Sequence, residues 1–96
     1  MAVKGVKEAK VEAELVRRVE LAGGVAEKTT VVGSRGFFDR LVVLPGGRVV
    51  FCEVKRPVGG RLSPHQIQRI GQYGRLGAEV ALVKNTADID RLLSGV

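Results

Sequence analysis

The stretch FFDRLVVLPGGRVVFCEVKRP, residues 37–57, decides the fold of this chain. It predicts two strands joined by a turn, because two segments rich in Val, Leu and Phe flank a Pro-Gly-Gly sequence. The hairpin is apolar enough to be buried, yet Asp39 lies in its first strand and Glu53 and Lys55 lie in its second. Burying an unpaired carboxylate costs several kcal/mol, so these charges need a physical explanation.

The alternation of side chains along a strand constrains where these charges lie. Glu53 and Lys55 are two residues apart and therefore share one face of the sheet. Asp39 joins them only if the hairpin pairs residues of equal parity. A two-residue Gly-Gly turn would instead put Asp39 opposite Val54. We therefore predict a three-residue loop or a bulge in this hairpin.

The residues on both sides of the hairpin predict helices and further strands. Apolar residues recur at three- and four-residue spacing in an N-terminal helix that Gly23-Gly24 ends. Ser63-Pro64 is a typical helix start, since serine caps a helix and proline fits its first turn. The predicted elements are a helix at 7–22, strands at 25–32, 37–44 and 48–55, a helix from 63 to about 76, a strand at 79–84 and a helix at 86–94. The order α-β-β-β-α-β-α predicts an α/β fold class, with a parallel crossover at its end and a mixed sheet flanked by helices.

Composition narrows the class of protein. The 96 residues suffice for a single domain, residues 1–96, of which we expect 1–6 to be frayed. A net charge of +6 favours a polyanionic partner, nucleic acid before an anionic membrane surface. No apolar run approaches the ~20 residues that span a bilayer. With Cys52 as the single cysteine and only one histidine, we expect a reducing, cytoplasmic setting and no zinc site.

A metal ion is the least costly explanation for the buried charges. At 100° per residue, Glu12 points into the apolar stripe of the first helix and toward the sheet. Glu53 and Lys55 could form an ordinary ion pair, and Asp39 could bond to Arg40 or to a loop amide. The three residues together on one predicted face, with Glu12 approaching from the helix, favour a site. Mg²⁺ takes hard oxygen ligands, and a metal held by carboxylates and a carbonyl polarises a phosphodiester and activates water. The pattern indicates phosphodiester hydrolysis, with the lysine steadying the negative charge that develops.

The same residues resemble a known family. Asp39 followed by Glu53-Val54-Lys55 resembles the PD-(D/E)xK motif of the restriction-endonuclease-like nucleases. The longer string GFFDRLVVLPGGRVVFCEVKRP…LSPHQ, together with EAELVRRVELAGG in the first helix, resembles the VRR-NUC family, the virus-type replication-repair nucleases. That family has a Gly-x-Pro-Asp-Arg strand, a Pro-Gly-Gly turn, a Glu-x-Lys strand and a Ser-Pro-x-Gln helix start. The resemblance covers about residues 8–93, with Phe38 in place of the family's proline.

The resemblance implies a restriction-endonuclease-like fold and a role for each matching residue. It implies metal ligation by Asp39, Glu53 and the Val54 carbonyl, and a catalytic role for Lys55. Glu12 matches the family's helix glutamate, acting through water on the metal. It also implies Mg²⁺ or Mn²⁺ as cofactor and a stand-alone, phage or bacterial type of enzyme. Such enzymes are thought to act as homodimers on branched DNA such as four-way (Holliday) junctions in DNA repair.

Gln66 matches the family's glutamine but has a second interpretation. Ser-Pro-His-Gln is also a capping box, in which the glutamine closes the start of the helix. Cap and site are equally good interpretations at this stage, and we do not expect one side chain to serve as both. For phosphate contacts the candidates are the arginines close to the motif in sequence: Arg35, Arg40, Arg56, Arg61 and Arg69.

Three hypotheses for function follow. The leading one is a metal-dependent endodeoxyribonuclease selective for branched DNA. A non-catalytic DNA-binding module would keep the basic face but has no need of the acidic residues. A restriction-like nuclease that reads a sequence needs base-reading elements, for which 96 residues leave little room.

Overall fold

The computed structural model describes residues 6–33 and 37–96. Its elements are α1 (Glu8–Leu21), β1 (Val25–Lys28), β2 (Arg40–Leu44), β3 (Arg48–Val54), α2 (Pro64–Arg75), β4 (Glu79–Val83) and α3 (Thr86–Leu92). This is the predicted order. The predicted fraying of residues 1–6 falls outside the described residues except at Val6, which packs against the core. Within the described ranges, no helix has the length and hydropathy that crossing a membrane requires.

The strands form one mixed sheet in the order β1-β2-β3-β4. β2 pairs antiparallel with both β1 and β3, while β3 and β4 are parallel. A parallel pair needs a crossover connection, and α2 provides it between β3 and β4. The predicted α/β class and the predicted parallel crossover are therefore confirmed.

The hairpin of β2 and β3 has a three-residue loop, which is one of the two alternatives that the sequence predicted. Leu44 pairs with Arg48, which leaves Pro45, Gly46 and Gly47 unpaired between the strands. Gly46 and Gly47 have φ angles of 89° and 85°, in the left-handed region that favours glycine. Since Arg40 pairs with Cys52 at the other end of the ladder, the same register places the next residues, 39 and 53, opposite each other.

β1 is shorter than predicted, because its partner strand ends. The ladder closes where Lys28 pairs with Arg40, the first residue of β2. Thr29 still contacts the two residues that precede β2. Its N–H donates to the Asp39 carbonyl at 3.3 Å, and its hydroxyl donates to the Phe38 carbonyl at 2.6 Å. Beyond it Val32 is 96% exposed, so the apolar character of this segment does not extend the strand.

The hydrophobic core lies between one face of the sheet and the helices α1 and α3. The apolar stripe of α1 is fully buried there, as its three- and four-residue spacing predicts. Even-numbered residues of the central strands meet it, since alternate side chains share a face. The core consists of Val11, Leu15, Val19, Val42, Leu44, Val50, Cys52, Val54, Val83, Ile89 and Leu92.

Leu15→Ala should destabilise the protein strongly. Leu15 is fully buried at the centre of the α1 stripe, so truncation removes apolar contacts and leaves a cavity. The expected loss is about 2–5 kcal/mol in the free energy of unfolding, measured by urea denaturation. Leu21→Ala is the matched control on the same helix, because Leu21 is 73% exposed and its truncation should cost less than about 0.5 kcal/mol. Equal losses for the two variants would contradict this assignment of the core.

The helix α2 packs on the opposite face of the sheet through an aromatic cluster. Tyr73 contacts the rings of Phe51, Phe38 and Phe37 at centroid distances of 5.0, 5.1 and 6.0 Å. Phe38, which replaces the family's proline, is 1% exposed and belongs to this cluster. Because Phe51 is two residues from Glu53 on β3, α2 covers the face that carries the charged residues.

Candidate active site

The two hairpin acids lie together at the end of β3. The Asp39 Oδ2 atom accepts a hydrogen bond from the Val54 backbone N–H at 2.7 Å, which ties this carboxylate to β3. Glu53 is 1% exposed, and its carboxyl group is within hydrogen-bonding reach of Asp39. The structure therefore brings Asp39 and Glu53 to one side of the sheet, as the equal-parity register requires.

The pKa of Glu53 reflects this crowding. Burial disfavours the charged carboxylate and is the largest cause of a pKa well above the usual range of a glutamate. The negative charge of Asp39 raises the pKa further, while the Lys55 ammonium opposes the rise. Two acids held this close repel each other unless a proton or a cation lies between them. The site is therefore one in which a bound cation would relieve an electrostatic cost.

Lys55 lies on the same side, directly beyond the end of β3. Its Nζ atom is 3.7 Å from Glu53 Oε2, and its side chain is 15% exposed. Gly60 lies against it: a Cβ at that position would approach the Lys55 Cβ to 3.0 Å and the Arg56 carbonyl to 2.6 Å. The loop after β3 therefore packs closely on Lys55, and only glycine allows that approach.

A cleft of about 650 Å³ lies between the start of α1 and the loop that follows β3. Cationic side chains predominate among its charged lining residues: Lys7, Lys55, Arg56 and Arg61 are joined by one acid, Glu8. The cleft therefore places positive charge beside Lys55, which in turn lies next to Glu53.

Gln66 is both a helix cap and a member of the acidic cluster, so the expectation that it would serve as only one was wrong. Its backbone N–H donates to Ser63 Oγ at 3.1 Å, and the Ser63 N–H donates to its Oε1 at 2.8 Å, which completes a capping box. Its Nε2 donates to Glu53 Oε2 at 2.5 Å. The two roles are compatible because a side-chain amide has an acceptor at one end and donors at the other.

Glu12 lies away from this cluster. Its Oε2 accepts hydrogen bonds from Arg40 Nε at 2.7 Å and Lys28 Nζ at 3.1 Å. Burial disfavours its charged form, but the hydrogen bonds and the positive charges of Arg40 and Lys28 together outweigh the burial and lower the pKa of Glu12. Arg40 follows Asp39 in the chain, and adjacent strand residues point to opposite faces. The helical wheel correctly directed Glu12 toward the sheet, but toward the face opposite the Asp39 side chain.

Another acid of α1, Glu8, lines the cleft beside Lys55, and the sequence reasoning missed it. Its charge contributes to the raised pKa of Glu53, and it lines the cleft with Lys55. A signal was present, since Glu8 precedes Val11 by three residues and continues the α1 stripe to its N-terminal end.

The predicted arginines occupy different environments. Arg40 is engaged with Glu12 and with the Ala26 carbonyl, which its Nη1 contacts at 3.0 Å. Arg69 lies 5.3 Å from the centroid of the Phe37 ring, a cation–π contact. Arg56 lines the cleft while bonding to carbonyls of its own loop, and Arg61 lines the cleft and is exposed. The remaining candidate, Arg35, lies outside the described residues.

The donor set of the cluster suits a small, hard cation. Asp39 and Glu53 supply carboxylate oxygens on one side of the sheet, and Mg²⁺ is commonly bound through one or two carboxylates with water completing its shell. In the part of the chain that the structure describes, no group of three or more His, Cys, Asp or Glu is placed to hold a metal. A cation here would therefore depend on these two acids, with backbone or solvent oxygens for the rest.

Known proteins are similar to this chain in fold and in sequence. A protein named "Putative nuclease p44", from Acyrthosiphon pisum secondary endosymbiont phage 1, is 36% identical over 91 residues, 95% of this chain and 96% of the relative. A solved structure described as a VRR_NUC domain is 32% identical, with a TM-score of 0.84 over 92% of this chain and 95% of that one. No family model matches the chain.

The mixed sheet and these likenesses define the class as an α/β nuclease with the restriction-endonuclease-like fold. Both similarities extend over almost the whole chain, so they include the hairpin, the first helix and the Ser-Pro-x-Gln helix start together. The chain belongs to the VRR-NUC family of nucleases.

Proposed function

We propose that this protein is a Mg²⁺- or Mn²⁺-dependent DNA endonuclease that hydrolyses phosphodiester bonds in branched DNA such as four-way junctions. The observation that carries the proposal is the meeting of Asp39 and the buried Glu53 beside Lys55, with a basic cleft adjoining them. Two acids held this close reduce the stability of a small domain unless a proton or a bound cation lies between them. A divalent cation and a polyanionic strand are the partners that this arrangement of charge fits.

Each residue of the cluster has a distinct part in the proposed reaction. Asp39, Glu53 and the carbonyl of Val54 would hold the metal, which when bound supplies Lewis-acid polarisation of the phosphodiester and activation of water. Lys55 steadies the negative charge that develops on the phosphate and positions the nucleophile. Gln66 holds Glu53 by donating to its Oε2 at 2.5 Å.

Two glutamates of α1, Glu12 and Glu8, have different proposed roles. The assignment of a catalytic role to Glu12 stays a prediction of the family resemblance. The ion pairs of Glu12 with Arg40 and Lys28 favour a structural role, because they link α1 to β1 and β2. Glu8 is better placed to act on the cluster, since its charge reaches Glu53 and its side chain lines the adjoining cleft.

The DNA backbone is proposed to lie along the basic cleft. Arg61 and Lys7 are exposed in the cleft, and their side chains can reach phosphates without breaking any contact described above. Arg56 can contribute while it holds its loop. Arg40 is a weaker candidate, because its guanidinium is already bonded to Glu12 and Ala26. The net charge of +6 supplies the longer-range attraction to DNA.

The homodimer and the branched substrate are proposed together. The resemblance implies both, and a dimer carries two sites that can make paired cuts across a junction. Two exposed apolar side chains support a protein contact: Ile67 on α2 is 58% exposed, and Leu76, which follows that helix, is 79% exposed. A second copy of the chain would remove this apolar surface from water.

One cleavage assay tests the proposal. Purified protein is incubated with Mg²⁺, Mn²⁺ or EDTA and with labelled substrates of one sequence: a four-way junction, a flap, a single strand and a plain duplex. The expected result is metal-dependent cleavage that is faster on the junction than on the duplex. Sedimentation of the free protein, expected at the mass of a dimer, is measured alongside.

Two outcomes would contradict the proposal and identify the alternatives. Binding to all four DNAs without cleavage in either metal would indicate a non-catalytic DNA-binding module. Cleavage of the junction and the plain duplex at the same rate and at the same position in the shared sequence would indicate a restriction-like nuclease.

A further inference from the structure

The start of α2 is joined to the acidic cluster by a single side chain. Gln66 is the third residue of the helix, and its Oε1 is held by the Ser63 N–H at 2.8 Å. Its backbone N–H is held by Ser63 Oγ at 3.1 Å, and its Nε2 reaches Glu53 Oε2 at 2.5 Å. Lys55 approaches that same oxygen, with its Nζ at 3.7 Å. The capping box and the active-site carboxylate therefore share one amide group.

The capping box determines which end of this amide faces Glu53. In the observed orientation, an acceptor faces the Ser63 N–H and a donor faces the carboxylate. If the amide were rotated by half a turn, its NH2 group would face the Ser63 N–H, donor against donor. Its oxygen would face the Glu53 carboxylate, acceptor against acceptor. Each contact therefore favours the orientation that the other needs, and the two are cooperative.

We propose that Ser63 is a positioning residue for the reaction, and this rests on the proposed function. It acts through Gln66: its backbone and hydroxyl hold the first turn of α2 so that the glutamine Nε2 points at Glu53 Oε2. Ser63 itself is exposed and contacts the cluster only through this capping box in the described structure. The helix cap thus fixes the Glu53 carboxylate beside Lys55, in addition to stabilising the helix.

Ser63→Ala tests this role by removing the hydroxyl acceptor and loosening the first turn. We expect about a tenfold fall in kcat on a cleavable DNA, with KM little changed, as for partners that orient metal ligands. Ser63→Thr keeps an acceptor and should restore most of the rate. Asn85→Ala is the matched control, because Asn85 caps α3 by accepting from the Asp88 N–H at 2.9 Å, and its loss costs helix stability without touching the cluster.

A double-mutant cycle separates positioning from general destabilisation. If Ser63 acts through Gln66, Ser63→Ala should have almost no further effect on kcat in a Gln66→Ala background. An equal effect of Ser63→Ala in both backgrounds would overturn the proposal. So would a comparable fall in kcat for Asn85→Ala at a matched loss of melting temperature.

Readouts that need no cleavage distinguish a failure of this inference from a failure of the proposed function. Mn²⁺ alone should raise the melting temperature, and the rise should be smaller in Ser63→Ala than in Asn85→Ala. In NMR spectra, the Gln66 side-chain amide protons should be shifted by their bond to Glu53 and should move toward free-amide values in Ser63→Ala only. Unchanged amide shifts in Ser63→Ala would overturn the positioning role, even if the protein cleaves DNA.

Discussion

Asp39→Asn is expected to lower metal-dependent cleavage by about a thousandfold or more, while DNA binding stays intact or becomes tighter. Asparagine keeps an oxygen that can accept the Val54 N–H, bonded at 2.7 Å in the native protein, so the hairpin should be preserved. What the substitution removes is a negative charge that, under the proposed function, would hold the metal, and several kcal/mol of transition-state stabilisation correspond to such a loss of rate. The affinity for DNA should stay the same or increase, because the substitution removes a negative charge that repels the phosphates.

The control for this variant makes the same chemical change elsewhere. Asp88 Oδ2 accepts a backbone N–H from Lys84 at 2.8 Å, the same kind of bond that Asp39 makes, but at the start of α3. Asp88→Asn should cleave DNA like the native protein. Both variants are compared by cleavage rate and by fluorescence anisotropy on the same junction. If Asp39→Asn lost binding in proportion to its loss of cleavage, its role would be in DNA binding and the assignment as metal ligand would be wrong.

Lys55→Met is expected to lower the rate of the chemical step by about 10²–10³-fold, with a much smaller change in DNA affinity. This is the usual effect of removing one group that stabilises charge in the transition state. Methionine keeps much of the apolar stem, so the contact with the loop at Gly60 should survive. The measurement is single-turnover cleavage with the protein in excess, which separates the rate of chemistry from binding.

Lys10→Met removes the same charge from an exposed position on α1 and serves as the control. Since both variants lower the net charge equally, any general electrostatic effect on DNA binding appears in both. A rate loss confined to Lys55→Met would support the assigned role. A large rise in KM with kcat unchanged would instead make Lys55 a phosphate-binding residue.

Much of this site follows from local rules that a sequence obeys wherever it folds. Alternation along a strand puts Glu53 and Lys55 on one face. The need to bring Asp39 to that face predicted a three-residue loop or a bulge, and the hairpin has the loop. The Ser63-Pro64 helix start and the helix stop at Gly23-Gly24 likewise depend on nearest neighbours. These features were predictable because each is decided within a few residues.

Other features depend on how separate elements meet, and local rules misplaced them. The end of β1 is set by the beginning of β2, so the apolar residues after Lys28 did not extend the strand. Gln66 serves as both cap and partner of Glu53 because α2 crosses the face that carries Glu53, which the capping pattern alone does not reveal.

The sequence by itself determined the order of the elements, the parity of the hairpin pairing and the family, because periodicity, turn residues and a long motif are properties of one segment at a time. Only the tertiary structure decided which acid of α1 lies near the acidic cluster. A helical wheel gives the direction of Glu12 relative to its own axis, but the packing of α1 on the sheet sends Glu12 to Arg40 and leaves Glu8 close enough to influence Glu53. That choice depends on where one element lies on another, and no single segment contains this information.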